Sequence, residues 1–399
     1  MSRWPVVALK DAAEIVSGGT PKSEIEEYWD GDIPWVTPKD LSDLDGPFIS
    51  TTPRSITELG LKNSSATLLP ANSVLFSSRA PIGHVAINAI AMATNQGFKS
   101  LVPKPDVSHA GYLYHWLRAN RAYLEGLGNG ATFKEVSKAV VAKVEIPLPP
   151  IDEQRRIAAI LDHADALRAK RREALARLDE LTQSIFIDMF GDATTIHTNW
   201  PKTALNDILL AIESGRSPTC HARPANDDEY GVLKLGAVTY GRFDPSQNKA
   251  LPEEVEPDVR HEVKTGDLLF TRKNTADLVG AAALVRKTRA KLLLPDLIFR
   301  LRIDPASKMN SAYLQAVLMY PPIRRTVQGL AGGSAGSMPN ISKAKLLTVE
   351  VPHPPADQQL GYERRIEEID RLRSVHQSAL AALDDLFASL QSRAFRGEL

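Results

Sequence analysis

Between Asp152 and Phe190 the chain has neither proline nor glycine, and apolar or small residues recur at 157, 160, 164, 167, 174, 178, 181 and 185. The steps alternate between three and four, with Arg171 at the missing place, which is the heptad-like stripe of long paired helices. The stripe returns as Ile366, Ile369, Leu372, Ala379, Leu383, Leu386 and Leu390, with His376 where Arg171 stands. Asp152 after Pro150, and Asp357 after Pro355, mark two helix starts, and Gly191 and Gly397 mark the two ends. Such a helix is roughly 58 Å long at ~1.5 Å per residue, so its stripe needs a partner. The other helix, running antiparallel, is the natural one, and Leu167, Leu178, Leu181, Leu372, Leu383 and Leu386 are its expected pairing core. The alternative is that each helix packs on its own globular part.

The remaining segments carry a shorter period. "SVLFSS", "HVAINAI", "KVEIPL", "GVLKL", "GDLLFT", "LVGAAALV", "LIFRLRI" and "LLTVEVP" are β-branched or alternating runs bounded by Gly, Pro, Asn and Asp, and they predict short strands. "AGYLYHWLRANRAYLEGL" from Ala110 and "NSAYLQAVLMYPPIRRTVQGL" from Asn310 predict amphipathic helices at matching places.

The match is a duplication. "IPLPPIDEQ" from Ile146 returns as "VPHPPADQQ" from Val351, with three prolines in register. Leu178-Asp179 meets Leu383-Asp384, Phe190 meets Phe395, and Ser137-Lys138 meets Ser342-Lys343. Upstream, Trp4-Pro5 pairs with Trp200-Pro201, and "IVSGGTPK" from Ile15 resembles "IESGRSPT" from Ile212. The expected class is α+β: a mixed α/β domain followed by a long helix, twice. The expected boundaries are 1–148 for the first domain, 149–191 for its helix, 192–352 for the second domain and 353–399 for its helix.

Composition narrows the function. The 399 residues include one cysteine, Cys220, which excludes a disulfide framework and fits a reducing compartment. The amino-terminal "MSRWPVVALKDAAEIV" has no apolar leader core, and no run of about 18 apolar residues occurs, so a cytoplasmic protein without a membrane span is expected. With 48 basic and 48 acidic residues, overall charge gives no hint of nucleic acid. Phosphate-loop, dinucleotide and zinc-peptidase motifs are absent. His84, His109, His115 and His261 lack partners at metal-ligand spacing, and no metal site is expected. A non-catalytic binding protein is the expectation.

Local charge is more informative. "TRKNTADLVGAAALVRKTRAKLLL" from Thr271 holds six basic residues and one acid, with Arg272, Lys273 and Asn274 at a strand end. Arg79 follows the equivalent "VLFSS" in the first copy, and "NQGFKS" adds Gln96 and Lys99. These side-chain types read guanine and adenine edges and hold phosphates. A solvated charged face is the plainer alternative for any one such cluster.

The whole chain resembles the specificity subunit of type I restriction-modification systems. The resemblance is carried by "IPLPPIDEQRRIAAILD" and "VPHPPADQQL", the helix ends "SIFIDMFGD" and "SRAFRGEL", the opening "WPVVALKDAAEIVSGGTPK", and the junctions "GNGATFKEVSKAVVAKVEIPLPP" and "GGSAGSMPNISKAKLLTVEVPHPP". It implies two target recognition domains, each reading half of a split, asymmetric double-stranded DNA sequence. It also implies an antiparallel helical ruler that docks DNA methyltransferase subunits, two in number. Loops before the last strand of each domain are implied at the DNA: Asn129, Thr132, Phe133 and Lys134 in the first, Ser334, Ser337 and Asn340 in the second. No cofactor is implied in this chain. S-adenosylmethionine belongs to the partner methyltransferase, and ATP and magnesium belong to a restriction and translocase subunit. The competing class is a coiled-coil scaffold carrying two protein-binding domains, with an unrecognised enzyme as the third.

Overall fold

The computed structural model describes residues 4–42, 44, 46–79, 81–130, 134–192, 196–332 and 338–399. Two helices dominate it, Ile151–Phe190 and Ala356–Arg396. Asp152 and Asp357 lie in their first turns, where a carboxylate meets the positive end of the helix dipole. Each helix follows a proline pair that keeps the preceding chain extended.

The chain divides into two units, Met1–Ala174 with His376–Leu399, and Leu175–Val375. Each therefore holds one globular domain and a part of both long helices.

In the first unit, strand Val6–Ala8 pairs antiparallel with Glu145–Pro147, so the start of the domain is sewn to the strand that leads into the helix. A five-stranded sheet runs in the order Ala13–Ser17, Lys99–Pro103, Val74–Phe76, Val85–Asn88, Phe48–Ile49. A smaller sheet holds Ser55–Ile56, Trp29–Val36 and Ala93–Thr94. The second unit repeats this plan. Lys202–Ala204 pairs with Glu350–Pro352, and the main sheet runs Leu209–Ser214, Ile298–Ile303, Leu268–Thr271, Ala282–Leu284. Its smaller sheet is Asn248–Ala250, Gly231–Leu233, Leu292–Leu293. The expected amphipathic helices each break in two. Ala110–Ala119 is followed by Arg121–Gly126, and Ser311–Met319 by Pro321–Gly329. Pro321 cannot donate to the preceding turn and instead opens the second piece.

The repeated proline phrase has a physical purpose. Gln154 and Gln359, equivalent in the two copies, are completely buried. Gln154 accepts from the His109 N–H at 2.9 Å and donates to the Val107 and Pro149 carbonyls at 2.9 and 2.8 Å. Gln359 accepts from the Asn310 N–H at 2.7 Å and donates to the Pro354 carbonyl at 2.8 Å. Beside them the phenols of Tyr112 and Tyr313 donate to the Pro147 and Pro352 carbonyls at 2.6 and 3.0 Å. Burial raises both phenol pKa values, which keeps them neutral donors. Each domain is thus bolted to its helix start by the same three hydrogen bonds.

The helices pair antiparallel within each unit. In the first, Ile157, Leu161 and Ala164 share a core with Phe387 and Ala394. Arg168 bonds Asp165 at 2.6 Å and Asp384 at 2.5 Å, with its guanidinium 4.3 Å from the Phe387 ring centre. Arg171 donates to His376 Nδ1 at 3.0 Å. In the second unit, Phe186 and Phe190 pack against Tyr362, and the buried Arg373 bonds Asp370 and, at 3.0 Å, Asp179. Arg373, Asp370 and Asp179 are the equivalents of Arg168, Asp165 and Asp384, so the same charged cluster is built twice.

This corrects the expected seam. Leu178 and Leu383 are half-buried. Leu167, Leu181, Leu372 and Leu386 are 38, 45, 49 and 49% exposed and lie outside the pairing core. Their neighbours Arg168, Thr182, Arg373 and Phe387 take the inward places. Arginine qualifies because its aliphatic stem packs like an apolar residue while its head finds acids on both helices.

Two measurements follow by chemical denaturation. Gln154→Leu should cost about 2–4 kcal/mol, because it strands a buried N–H and two carbonyls; exposed Lys170→Ala should be near neutral. Phe387→Ala should cost about 3–5 kcal/mol and the adjacent Leu386→Ala less than about 1. The reverse order would restore the apolar-stripe register.

Candidate nucleic-acid interface

One end of each main sheet gathers most of the expected binding residues, and the backbone there follows a similar plan in both domains. Ser17 pairs with Lys99 and Ser214 with Phe299 at the last rung of the first strand. The chain then turns sharply across its neighbour. A Cβ on Gly18 would lie 2.0 Å from the Asn95 carbonyl oxygen, and one on Gly215 would lie 1.7 Å from that of Leu294. Only glycine allows this approach, which explains the shared "SG" of "IVSGGTPK" and "IESGRSPT". Three residues beyond the rung, Thr20 donates from its hydroxyl to the Gln96 carboxamide oxygen. Three residues beyond the other, Ser217 donates to the Asp296 carboxylate.

The next strand ends beside this turn. Ser78 donates its N–H to Gly97 at 2.7 Å, and Arg272 donates its own to Leu297 at 3.1 Å. A late loop then locks on: Val136 N–H to Ser78 at 2.9 Å, and Ile341 N–H to Arg272 at 2.8 Å. That loop is closed by reciprocal bonds, Asn129 with Glu135 and Gly332 with Asn340. Two segments far apart in sequence are therefore held on one strand end, twice.

The side chains differ between the domains. In the first, Arg79 lies 3.8 Å from Glu135, and the 7% exposed Lys99 bonds the same carboxylate at 3.1 Å and the Gln96 carbonyl at 3.4 Å. Glu135 thus neutralises two cations at the centre of the patch. Gln96, Asn129 and Lys134 are exposed. In the second domain, Arg272 donates to Asn340 Oδ1 at 3.0 Å, with its guanidinium 5.0 Å from the Phe299 ring centre. Lys273 is half-buried and bridges Asn340 through its backbone. Asn274 is 6% exposed, donates to Thr239 Oγ1 at 3.1 Å and accepts from the Thr275 N–H at 2.9 Å. Both ends of its amide are spent inside the protein, so it fastens the loop. Thr132, Phe133, Ser334 and Ser337 lie outside the described residues.

The basic run from Thr271 is not one loop. It contains strands Ala282–Leu284 and Leu292–Leu293, and its charges part company. Arg286 bonds Asp370 at 2.5 Å, Arg289 donates to the Glu229 carbonyl at 3.1 Å, and Lys291 donates to that of Asp228 at 2.8 Å. Arg272 and Lys273 stand at the sheet end. Thr20, Ser217 and Asp296 belong to the site but were not singled out beforehand. The signal for Thr20 and Ser217 was the repeated "SGGTPK" and "SGRSPT", which marks the duplication as well as the turn, whereas Asp296 lies in neither stretch.

The described residues hold no group of His, Cys, Asp and Glu able to bind a metal ion. None of the described helices is long and apolar enough to cross a membrane.

Residues 1–177 match the model of the type I restriction modification DNA specificity domain. The EcoKI specificity subunit of Escherichia coli aligns over 99% of this chain and 89% of its own length, at 24% identity. Over nearly its whole length the chain is thus similar to a specificity subunit of a type I restriction-modification system. The MjaIX specificity subunit of Methanocaldococcus jannaschii is 38% identical over 229 residues, which are 53% of this chain and 52% of that one. The matched stretch thus spans about half the length of that relative. The S subunit of the type I system of M. genitalium has the same fold, with a TM-score of 0.63 at 13% identity, covering 99% of this chain and 96% of that one. A structure described as showing complex assembly and conformational transition of the type I system gives 0.55 at 18% identity, covering 99% and 98%.

The loop-fastening role of Asn274 is measurable. Asn274→Ala should lower stability by about 1–3 kcal/mol in urea, because Thr239 and Thr275 lose buried partners, whereas Arg79→Ala should stay within about 0.5–1. Equal small effects would return Asn274 to the candidate contacts.

Proposed function

We propose that this chain is the sequence-reading subunit of a type I restriction-modification assembly, and that it performs no chemistry itself. Each recognition domain reads one half of a bipartite, asymmetric duplex target. The single observation that carries this reading is the strand-end constellation built twice on one backbone plan with different side chains. Arg79, Gln96, Asn129 and Lys134 face one half-site, and Lys273, Asn340 and Arg272 the other. Asn274 and Lys99 act behind them, as supports of the loops. Thr132, Phe133, Ser334 and Ser337 remain candidate contacts on their sequence alone.

The paired helices set the gap between the half-sites and dock the modification subunits. The exposed leucines support that role. Leu167 and Leu372 are equivalent, as are Leu181 and Leu386, so one apolar surface is offered twice, which suits two copies of one methyltransferase partner. S-adenosylmethionine is bound by that partner. A restriction and translocase subunit brings ATP and magnesium.

The test is to map DNA methylation by single-molecule sequencing in cells that carry the modification subunit with and without this chain. The expected result is a split motif with two unlike halves, methylated only with the chain. No difference, with an active partner, would move the reading to a protein-binding scaffold. Four residues inserted after both Arg171 and His376 should add about 6 Å of ruler and lengthen the gap by about two base pairs. An unchanged gap would sink the ruler.

A further inference from the structure

The equivalent positions Gln96 and Asp296 stand at the same place for a geometric reason. Each lies three residues before the last rung of the first strand pair, at Lys99 or Phe299. Each is exposed, and each is held by a hydroxyl three residues beyond the partner strand, Thr20 or Ser217. The hydroxyl takes one oxygen and turns the rest of the side chain outward at the candidate interface. What is left differs in polarity. Gln96 keeps its amide NH2 as a double donor. Asp296 keeps a carboxylate oxygen, which only accepts.

We infer that Gln96 and Asp296 are matched specificity determinants that read equivalent steps of the two half-sites with opposite hydrogen-bond polarity. This rests on the DNA-reading function proposed above. The amide NH2 at 96, left as a donor, selects a base edge that offers acceptors, the O6/N7 pair of guanine first. The carboxylate at 296 selects an exocyclic amino group, that of cytosine or adenine, and rejects the acceptor pair O6/N7 of guanine. It is also unsuited to phosphate: a fixed carboxylate at a DNA-facing strand end is repelled by the backbone unless an amino-bearing base edge meets it. The acid thus discriminates by exclusion as much as by attraction. The pair gives two similar domains unlike half-site preferences through a side-chain difference at one equivalent position.

The test uses the full chain with its methyltransferase subunit and compares wild type, Asp296→Asn and Gln96→Glu by methylation mapping. Both side chains are exposed, and a thermal melt of each variant checks its fold. The wild-type map tests the underlying function: no chain-dependent motif overturns that reading and this one together. Given a wild-type motif, Asp296→Asn should relax or switch one position of the second half about tenfold or more, with the first half unchanged. Gln96→Glu should do the same in the first half only. Motifs identical to wild type in both variants would overturn the inference and leave the function standing. So would an equal loss of methylation across all sequences in a variant that melts normally. If Asp296→Asn lowers the melting midpoint, Ser217→Ala replaces it, since loss of the holding hydroxyl should relax the same second-half position.

Discussion

Everything in this molecule that needs a fixed geometry hangs on two buried glutamines. A side-chain amide with no access to water must find partners for both its ends, or the loss is several times the value of one hydrogen bond. Gln154 and Gln359 find them in backbone groups of the domain and of the proline turn. Those backbone groups leave few angles at which the helix can depart. A domain whose job is to stand at a set place along a helix needs such a restraint, because packing between apolar surfaces alone slides more easily than a satisfied polar cluster.

The same logic governs the middle of the helix pair. Apolar residues fill the seam near each domain and give way to Arg168 and Arg373 further along, each with acids from both helices. Charged groups at inward positions contribute little net stability after desolvation. Their value lies in register, since a slip of one turn would leave a partly buried guanidinium without its carboxylates. In the proposed role as a spacer of fixed length, register would outrank strength.

Much of this was legible in the sequence. The proline phrase, the two long helices, most strand runs and the duplication are local patterns, and local patterns survive folding. The seam was misread by one residue over its middle portion. Counting apolar side chains favours Leu167 and Leu181 over Arg168 and Thr182, and no count of hydrophobicity sees an arginine stem used as core. The repeat itself held the hint, since Asp165, Arg168 and Asp179 return as Asp370, Arg373 and Asp384. At the candidate interface, residue types pointed to the two strand ends where the fold gathers them. They could not separate Asn274, whose amide is consumed within the protein, from Gln96, whose amide is exposed. That distinction depends on Thr239, a residue 35 positions away in sequence.

Arg171 and His376 are the same position of the duplicated unit, and they touch. A guanidinium has only donors, so the imidazole nitrogen facing it must accept. Two arginines there would confront each other with no acceptor between them. A first helix meeting its own counterpart from another molecule would face that clash, whereas it meets the second helix without cost. Divergence at a single residue has turned two interchangeable halves into a plug and a socket, so that the helix from one half is better matched by the other half of its own chain than by a copy of itself.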